Sequence, residues 1–480
     1  MMESNENAVY DVIVIGGGPA GENVADVASR RGLRVGLIEH ELLGGECTYW
    51  ACMPSKALLR PGEALDALRR VPGAHAAANR EIDVSEALAR RDALASNWDD
   101  AGQVSWLEGA GVDLIRGHGR ITGERRVSVT RSDGSLSRLT VRKAVVVATG
   151  SSASMPSIDG LAEAGIWDSR DVTTAKQVPR RLLVIGGGVV GTEMAQAWKW
   201  LGSDEVTLVE LADHLLPREE PFAGEELEAS LTRMGIKVYT SASTSRVSRE
   251  GTDGPATAEV TLADGTELVV QTDEILVATG RRPNTGDLGL ETIGLQPGRP
   301  IEVDDRLRAK GVNGDWLYAV GDVNARSLLT HTGKYQSRIA GAYIAGADTR
   351  AWGDTKATPR VVFTSPEIAA VGMTEQQATD AGLDVRTVTY EIGRVAGAAV
   401  LGRGYRGTTK LVIDGSREVI VGATFVGPRT GEMLHAVTIA IVGEVPLQTL
   451  WHAVPAFPTL SEVWLRLLET YRDEYERKFV

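Results

Sequence analysis

Two cysteines, Cys47 and Cys52, are the only ones in 480 residues, and they stand five positions apart in the segment GGECTYWACMPSK (44–56). Such a pair can open and close as a disulfide, which is a two-electron couple. The segment lies just downstream of a glycine-rich dinucleotide fingerprint, so a bound cofactor would lie within reach of the sulfurs. A stabilising disulfide is the competing reading. It is the weaker one, because closing so short a loop stabilises little and nothing in the chain points to an oxidising compartment.

The elements that must position this pair can be read on either side of it. Residues 11–15 (DVIVI) have the texture of a buried strand and run into Gly16, Gly18 and Gly21 of GGGPAG. A helical stretch follows, then a second apolar strand, VGLI (35–38), ending at Glu39. In a strand–turn–helix–strand unit the first glycine permits the turn and the second lets backbone amides approach a pyrophosphate. The third allows close helix packing, and the acid can take ribose hydroxyls. The plan recurs 170 residues later, with Gly186, Gly188 and Gly191 followed by VTLVE (206–210) ending at Glu210. Each copy is followed by an apolar strand ending in Ala-Thr-Gly, at Gly150 and Gly280. Two copies imply two nucleotide sites; the alternative is that one is vestigial.

Residues 57–120 read mostly as helices, while 125–142 and 256–270 alternate like antiparallel excursions turning at Asp133-Gly134 and Asp264-Gly265. From about 355 the texture becomes that of a separate α+β domain, with strands at 360–363, 409–413 and 419–426 and helices at 431–443 and 460–477. A chain of this length exceeds one hydrophobic core. With 51 basic and 64 acidic side chains the net charge is −13, which gives no encouragement to nucleic acid or anionic membrane as partners. The first residues lack a secretion-signal layout, and no stretch approaches ~20 uninterrupted apolar residues. The expected home is the cytoplasm.

Together these features resemble the FAD-dependent pyridine nucleotide–disulfide oxidoreductases, the group of dihydrolipoamide dehydrogenase, glutathione reductase and mercuric reductase. The resemblance covers essentially the whole chain and rests on GGGPAG with Glu39, GGECTYWACMPSK, ATGS, GGGVVGTE, ATGRRPNT (278–285), YAVGD (318–322) and VFTSPEIAAVGMTEQQA (362–378). It implies FAD on the first fingerprint, with Gly45, Lys56, Gly150, Gly321 and Asp322 also around it. Cys52 would sit against the flavin and Cys47 would exchange with substrate. Lys56 is expected to pair with Glu193 beside the flavin, where a cation would stabilise negative charge; an ordinary surface ion pair is the other reading. Asp322 would take a ribityl hydroxyl, or else cap a helix. The nicotinamide nucleotide would lie on the second fingerprint with Gly280. There Glu210 would repel a 2′-phosphate, which favours NADH over NADPH. Val189 stands where NADPH-dependent glutathione reductases carry a gating tyrosine.

The implied fold is α/β, with two doubly wound nucleotide-binding domains and a C-terminal α+β dimerisation domain. The expected boundaries are 1–155 and 283–354 for the FAD domain, 156–282 for the NAD domain and 355–480 for the last. Two chains would form a homodimer in which residues 452–462 cap the partner's cysteines. One departure stands out. Disulfide reductases of this group carry His-Pro-Thr near the C-terminus with a glutamate five residues after the histidine; here the segment is FPTLSE, with Phe457 in the histidine's place and Glu462 retained. Losing a positioned base typically costs ~10²–10⁴-fold in rate. His452 lies five residues upstream, but Pro455 and Pro458 stiffen the stretch, and its other reading is a helix-end or surface histidine. Nor is there a third cysteine for the extra C-terminal pair of mercuric reductases. The expected acceptor is a small disulfide, as in dihydrolipoamide dehydrogenase. A quinone or other electrophile, needing no histidine, is the alternative; a redox sensor is a third reading. Phe457, Trp50 and Tyr49 hint at an aromatic-lined mouth, or at simple packing.

Overall fold

The computed structural model describes residues 7–78, 81–251 and 254–475. The N-terminal residues read for a leader and the last residues of the chain lie partly outside these. The chain divides into two compact units, one of 1–54, 92–154 and 281–355 and the other of 55–91, 155–280 and 356–480.

The first unit is built on a seven-stranded sheet. Its order is Asp113–Arg116, Val35–Glu39, Asn7–Ile15, Leu136–Val147, Arg126–Thr130 and His118–Gly123, with Leu317–Ala319 also pairing along Leu136–Val147. The pairs around Asn7–Ile15 are parallel, and the fully buried runs Val12–Val14 and Val145–Val147 show why these strands read as continuous apolar stretches. The hairpin between Arg126–Thr130 and Leu136–Val147 turns at Asp133-Gly134 and is antiparallel. The end of the stretch read mostly as helices is strand, at Asp113–Arg116 and from His118 on. The short DLIR run is stabilised by parallel pairing with Val35–Glu39, a long-range contact that composition does not report.

The second unit carries three sheets. Its parallel four-stranded sheet has the order Ile236–Tyr239, Glu205–Val209, Arg181–Ile185, Glu274–Val277, and the antiparallel hairpin Ala256–Thr261/Glu267–Thr272 joins Ser243–Arg249. A five-stranded antiparallel sheet follows, in the order Pro359–Val362, Glu367–Gly372, Val419–Gly427, Thr408–Asp414, Val385–Glu391. Its strands Glu367–Gly372 and Val385–Glu391 have no counterpart in the sequence reading. Helices Leu434–Val442 and Glu462–Tyr475 accompany the sheet; the end of the expected 460–477 helix lies outside the described residues. No helix among the described residues is long and apolar enough to cross a membrane.

Candidate active site

Both glycine fingerprints have the same local construction. Each strand ends in a glycine with positive φ, Gly16 at 103° and Gly186 at 109°. A Cβ at either would fall 2.5–2.6 Å from the carbonyl oxygen of Ala148 or Ala278, the residue after the neighbouring parallel strand. Helices Pro19–Ser29 and Val189–Trp200 begin immediately after Gly18 and Gly188. A Cβ on Gly21 or Gly191 would meet the carbonyl of Gly16 or Gly186 at 1.9 Å, so the third glycine is a packing requirement.

The acids do more than the sequence suggested. Glu39 is buried and accepts the amides of Gly17 and Glu41, both at 2.7 Å. Burial opposes its ionisation, but His40 and these two backbone amides win and hold the carboxyl below its ordinary range. Glu210 makes the same pair of bonds, accepting from the Gly187 amide at 2.5 Å and the Ala212 amide at 2.7 Å. Each acid therefore pins the glycine loop from beneath while spare lone pairs remain for a ribose.

The residues present fit a dinucleotide. Only the Cα of Gly45, at 3.9 Å, lies near the Cβ position of Gly18, and nothing lies within 4 Å of that of Gly188. Bare backbone at the head of a helix is what a pyrophosphate needs. Gly45 has φ +60°, and a Cβ there would come 2.7 Å from the Cα of Gly18, so the cysteine segment crosses the fingerprint backbone to backbone.

Cys47 and Cys52 are disulfide-bonded. Cys47 lies in the short helix Gly45–Tyr49, and Cys52 opens the helix Cys52–Arg70. The Cys52 sulfur lies 3.4 Å from the Thr330 hydroxyl, at the head of helix Thr330–Ile344. A helix N-terminus and a hydroxyl donor both favour thiolate over thiol. Thr330 was missed because no motif marks it. Tyr49 is fully buried, donates to the Leu43 carbonyl at 2.8 Å and has its phenol pushed up to about 12 by burial. It is an anchor of the loop and cannot line a mouth, which corrects that hint; Trp50 stacks on it edge-on at 5.5 Å and is half-buried.

Lys56 follows Cys52 by one helical turn. Its Nζ donates to Glu193 Oε2 at 2.8 Å, while Glu193 Oε1 accepts from the Phe363 amide at 3.0 Å. The glutamate side chain is 3 % and the lysine's 35 % exposed, so the pair is half-buried and not an ordinary surface one. The ammonium also stands 4.9 Å from the Phe363 ring centre. Gly62 seats the same helix, since a Cβ there would overlap the Trp200 ring.

Asp322 follows strand Leu317–Ala319 and accepts from the Ser151 hydroxyl at 2.6 Å. Arg281 donates to the Ser151 hydroxyl and carbonyl, both at 2.6 Å, and lies 3.9 Å from Asp322. Neither Arg281 nor Ser151 was singled out, although both adjoin quoted motifs. Gly321 has φ +78°, and its Cβ position lies 3.2 Å from the Ala20 methyl, so close packing on the first helix is part of its reason. Gly150, with positive φ and nothing within 4 Å of its Cβ position, follows the strand Leu136–Val147, and Gly280 follows Glu274–Val277.

Glu462 does not join Lys56 and Glu193. It is buried, accepts from the Ala396 amide at 3.1 Å and from Arg466 at 2.9 Å, and Arg466 first of all holds its carboxyl below the ordinary range. His452 is exposed, two residues past a helical turn ending at Leu450. Phe457 is 75 % and Val454 89 % exposed.

Residues 10–347 match the family described as pyridine nucleotide-disulphide oxidoreductase, and 358–467 match its dimerisation domain. The chain belongs to that family. It is 31 % identical over 463 residues to mercuric reductase of Staphylococcus aureus, covering 96 % of this chain and 82 % of that one. It is 34 % identical over 456 residues to dihydrolipoyl dehydrogenase of Thermus scotoductus, covering 94 % and 95 %. Among solved structures, the HOCl-induced flavoprotein disulfide reductase RclA from Escherichia coli superposes with a TM-score of 0.81 at 26 % identity, covering 96 % of this chain and 99 % of that one. As a member, this oxidoreductase uses FAD and a pyridine nucleotide, and its dimerisation domain supports a homodimer.

Proposed function

We propose that the protein passes electrons from NADH through FAD to the Cys47–Cys52 disulfide and on to a small disulfide acceptor. The observation that carries this is the setting of Cys52, at the head of a helix with a hydroxyl beside its sulfur and in the same compact unit as the first fingerprint. Bound FAD supplies a two-electron relay between the nicotinamide and the disulfide. Gly16, Gly18, Gly21, Gly45, Gly150, Gly321 and Asp322 would hold it, with Glu39 on its ribose and Lys56, fixed by Glu193, offering positive charge. Gly186, Gly188, Gly191, Glu210 and Gly280 would hold the nucleotide, and the carboxylate of Glu210 argues for NADH. The domain boundaries given from sequence belong to this proposal, as does a cytoplasmic location.

Once the disulfide is open, Cys47 attacks one acceptor sulfur and releases the other as a thiolate; Cys52, its charge held at the helix head, then attacks Cys47, releasing the second thiolate and re-forming the Cys47–Cys52 bond. The departing thiolate needs a proton that Phe457 cannot give. Glu462, held by Ala396 and Arg466, supports the C-terminal helix and leaves that proton to water. A second reading follows from the exposed apolar pair Val454 and Phe457: a quinone or other electrophile would need no proton carrier from this segment. The names of mercuric reductase and of a Cu(II) complex of RclA add a soft metal ion as a third acceptor. For that ion this chain has two cysteine sulfurs and no others.

An acceptor screen with NADH decides among them. Lipoamide reduction that disappears in Cys47→Ser, with quinone reduction spared, is the expected result. Absent lipoamide turnover in the parent, with rapid quinone turnover surviving Cys47→Ser, would replace the first reading by the second.

A further inference from the structure

The far side of the first unit carries an open cavity of about 510 Å³ lined by Arg125, Arg142, Lys143 and Arg306, against the carboxylates of Asp315 and Asp348. A concentration of cations is unexpected in a chain of net charge −13. The carboxylates neutralise it only in part. Asp315 is taken by Arg308 at 2.8 Å, and Asp348, 82 % exposed, pairs with Arg306 at 3.0 Å. Arg142 has Asp11 at 3.2 Å. Lys143 shares the field of Asp11 with Arg142 without an ion pair of its own, and Arg125 has no carboxylate partner among the described residues.

Two buried donors in this lining are also unsatisfied: the Nε of Arg125 and the Nε of Arg306 have no hydrogen-bond partner among the described residues. Buried donors without acceptors are rare because each forfeits its hydration. Arg125 is, in addition, a non-glycine residue at φ +53° in the turn between strands His118–Gly123 and Arg126–Thr130. Glycine or asparagine would serve that turn without strain. A guanidinium is kept there at a conformational cost, and its Nε is buried and unanswered.

The cavity is separate from the redox centre. Tyr343, in its lining, lies 13 residues beyond Thr330 on one helix, which is about 20 Å of helical rise. The carboxyl end of that helix would oppose an anion, but its last carbonyls are already engaged by the amides of Ala345, Gly346 and Ala347. Tyr343 also carries the Arg306 guanidinium 4.8 Å from its ring centre, which holds that cation in place.

We infer that this cavity binds a small anion carrying at least two negative groups, of the pyrophosphate type. Four cations spread around one opening suit separated charges better than a single one, and guanidinium forks match phosphate oxygens. The proposal does not depend on which acceptor the enzyme reduces.

The test is calorimetric titration of the FAD-loaded protein with inorganic pyrophosphate, with NAD⁺ saturating so that the second fingerprint is filled. One saturable site per chain is expected. Arg125→Gly, which removes the guanidinium and relieves the backbone at φ +53°, should weaken it at least tenfold while melting no lower than the parent. Lys143→Gln should weaken it several-fold, and neither variant should change the KM for NADH. Absence of saturable binding, or binding of parental strength in Arg125→Gly, overturns the assignment.

Discussion

Glu22, the residue directly after the first fingerprint, offers a stability test with its sign fixed by burial. Its Oε1 is buried without a hydrogen-bond partner among the described residues. Burial raises its pKa from 4.5 to about 7, with Lys334 opposing and Glu39 adding to the shift. Below the unfolded value both states hold the proton and nothing is lost. Between 4.5 and about 7 the folded state keeps a proton that the unfolded chain releases, so stability falls as pH rises through that window. Above it the loss is complete, about 3 kcal/mol at 1.36 kcal/mol per pKa unit. Glu22→Gln removes the penalty. The variant should match the parent near pH 4.5 and melt higher at pH 8, by about 7 °C for a cooperative unit of roughly 200 residues. Thermal melts of both proteins from pH 4.5 to 8.5 read this directly. Parallel curves, or a variant less stable at pH 8, would refute the reasoning and mean that the ionised carboxylate is satisfied in the fold.

Other sites give sharper chemical tests. Phe457→His should raise lipoamide turnover, up to ~10²-fold if the missing base is the limitation; unchanged steady-state rates would remove that explanation. Thr330→Val should weaken the long-wavelength thiolate–flavin absorbance of the NADH-reduced enzyme, since it deletes a hydroxyl donor beside the Cys52 sulfur; an unchanged band would show that this hydroxyl does not support the thiolate. Glu210→Ser should narrow the preference for NADH over NADPH at least tenfold, by lifting repulsion of a 2′-phosphate. It should also raise the KM for NADH, because the Gly187 amide loses its acceptor; an unaltered ratio of kcat/KM values would count against Glu210 as the selector.

Much of this was legible in the sequence because the chemistry demands rare local features. Glycines at 16 and 21, and their repeat at 186 and 191, are dictated by the backbone contacts a Cβ would make at 1.9–2.6 Å, while those at 18 and 188 leave open the space a pyrophosphate needs. The hairpins at Asp133-Gly134 and Asp264-Gly265 were readable from alternation and turn chemistry. What escaped was non-local. Strand Asp113–Arg116 exists because a parallel neighbour holds it, and Thr330 matters because a distant helix brings its hydroxyl to Cys52. The hold of Glu39 and Glu210 on their own glycine loops was hidden for the same reason, since a strand-end acid gives no sign in sequence that it reaches the loop amides. Tyr49 was misread as mouth material because a residue between two cysteines gives no sign of which way it faces.

The central claim is that a cysteine pair takes electrons from a reduced nicotinamide by way of the flavin. Anaerobic titration of the purified protein with NADH tests it most directly. The account predicts uptake of one hydride equivalent with growth of long-wavelength absorbance, as a Cys52 thiolate comes to face oxidised flavin, and two titratable thiols per chain afterwards. Bleaching of the flavin after one equivalent, with no such absorbance and no new thiols, would contradict it.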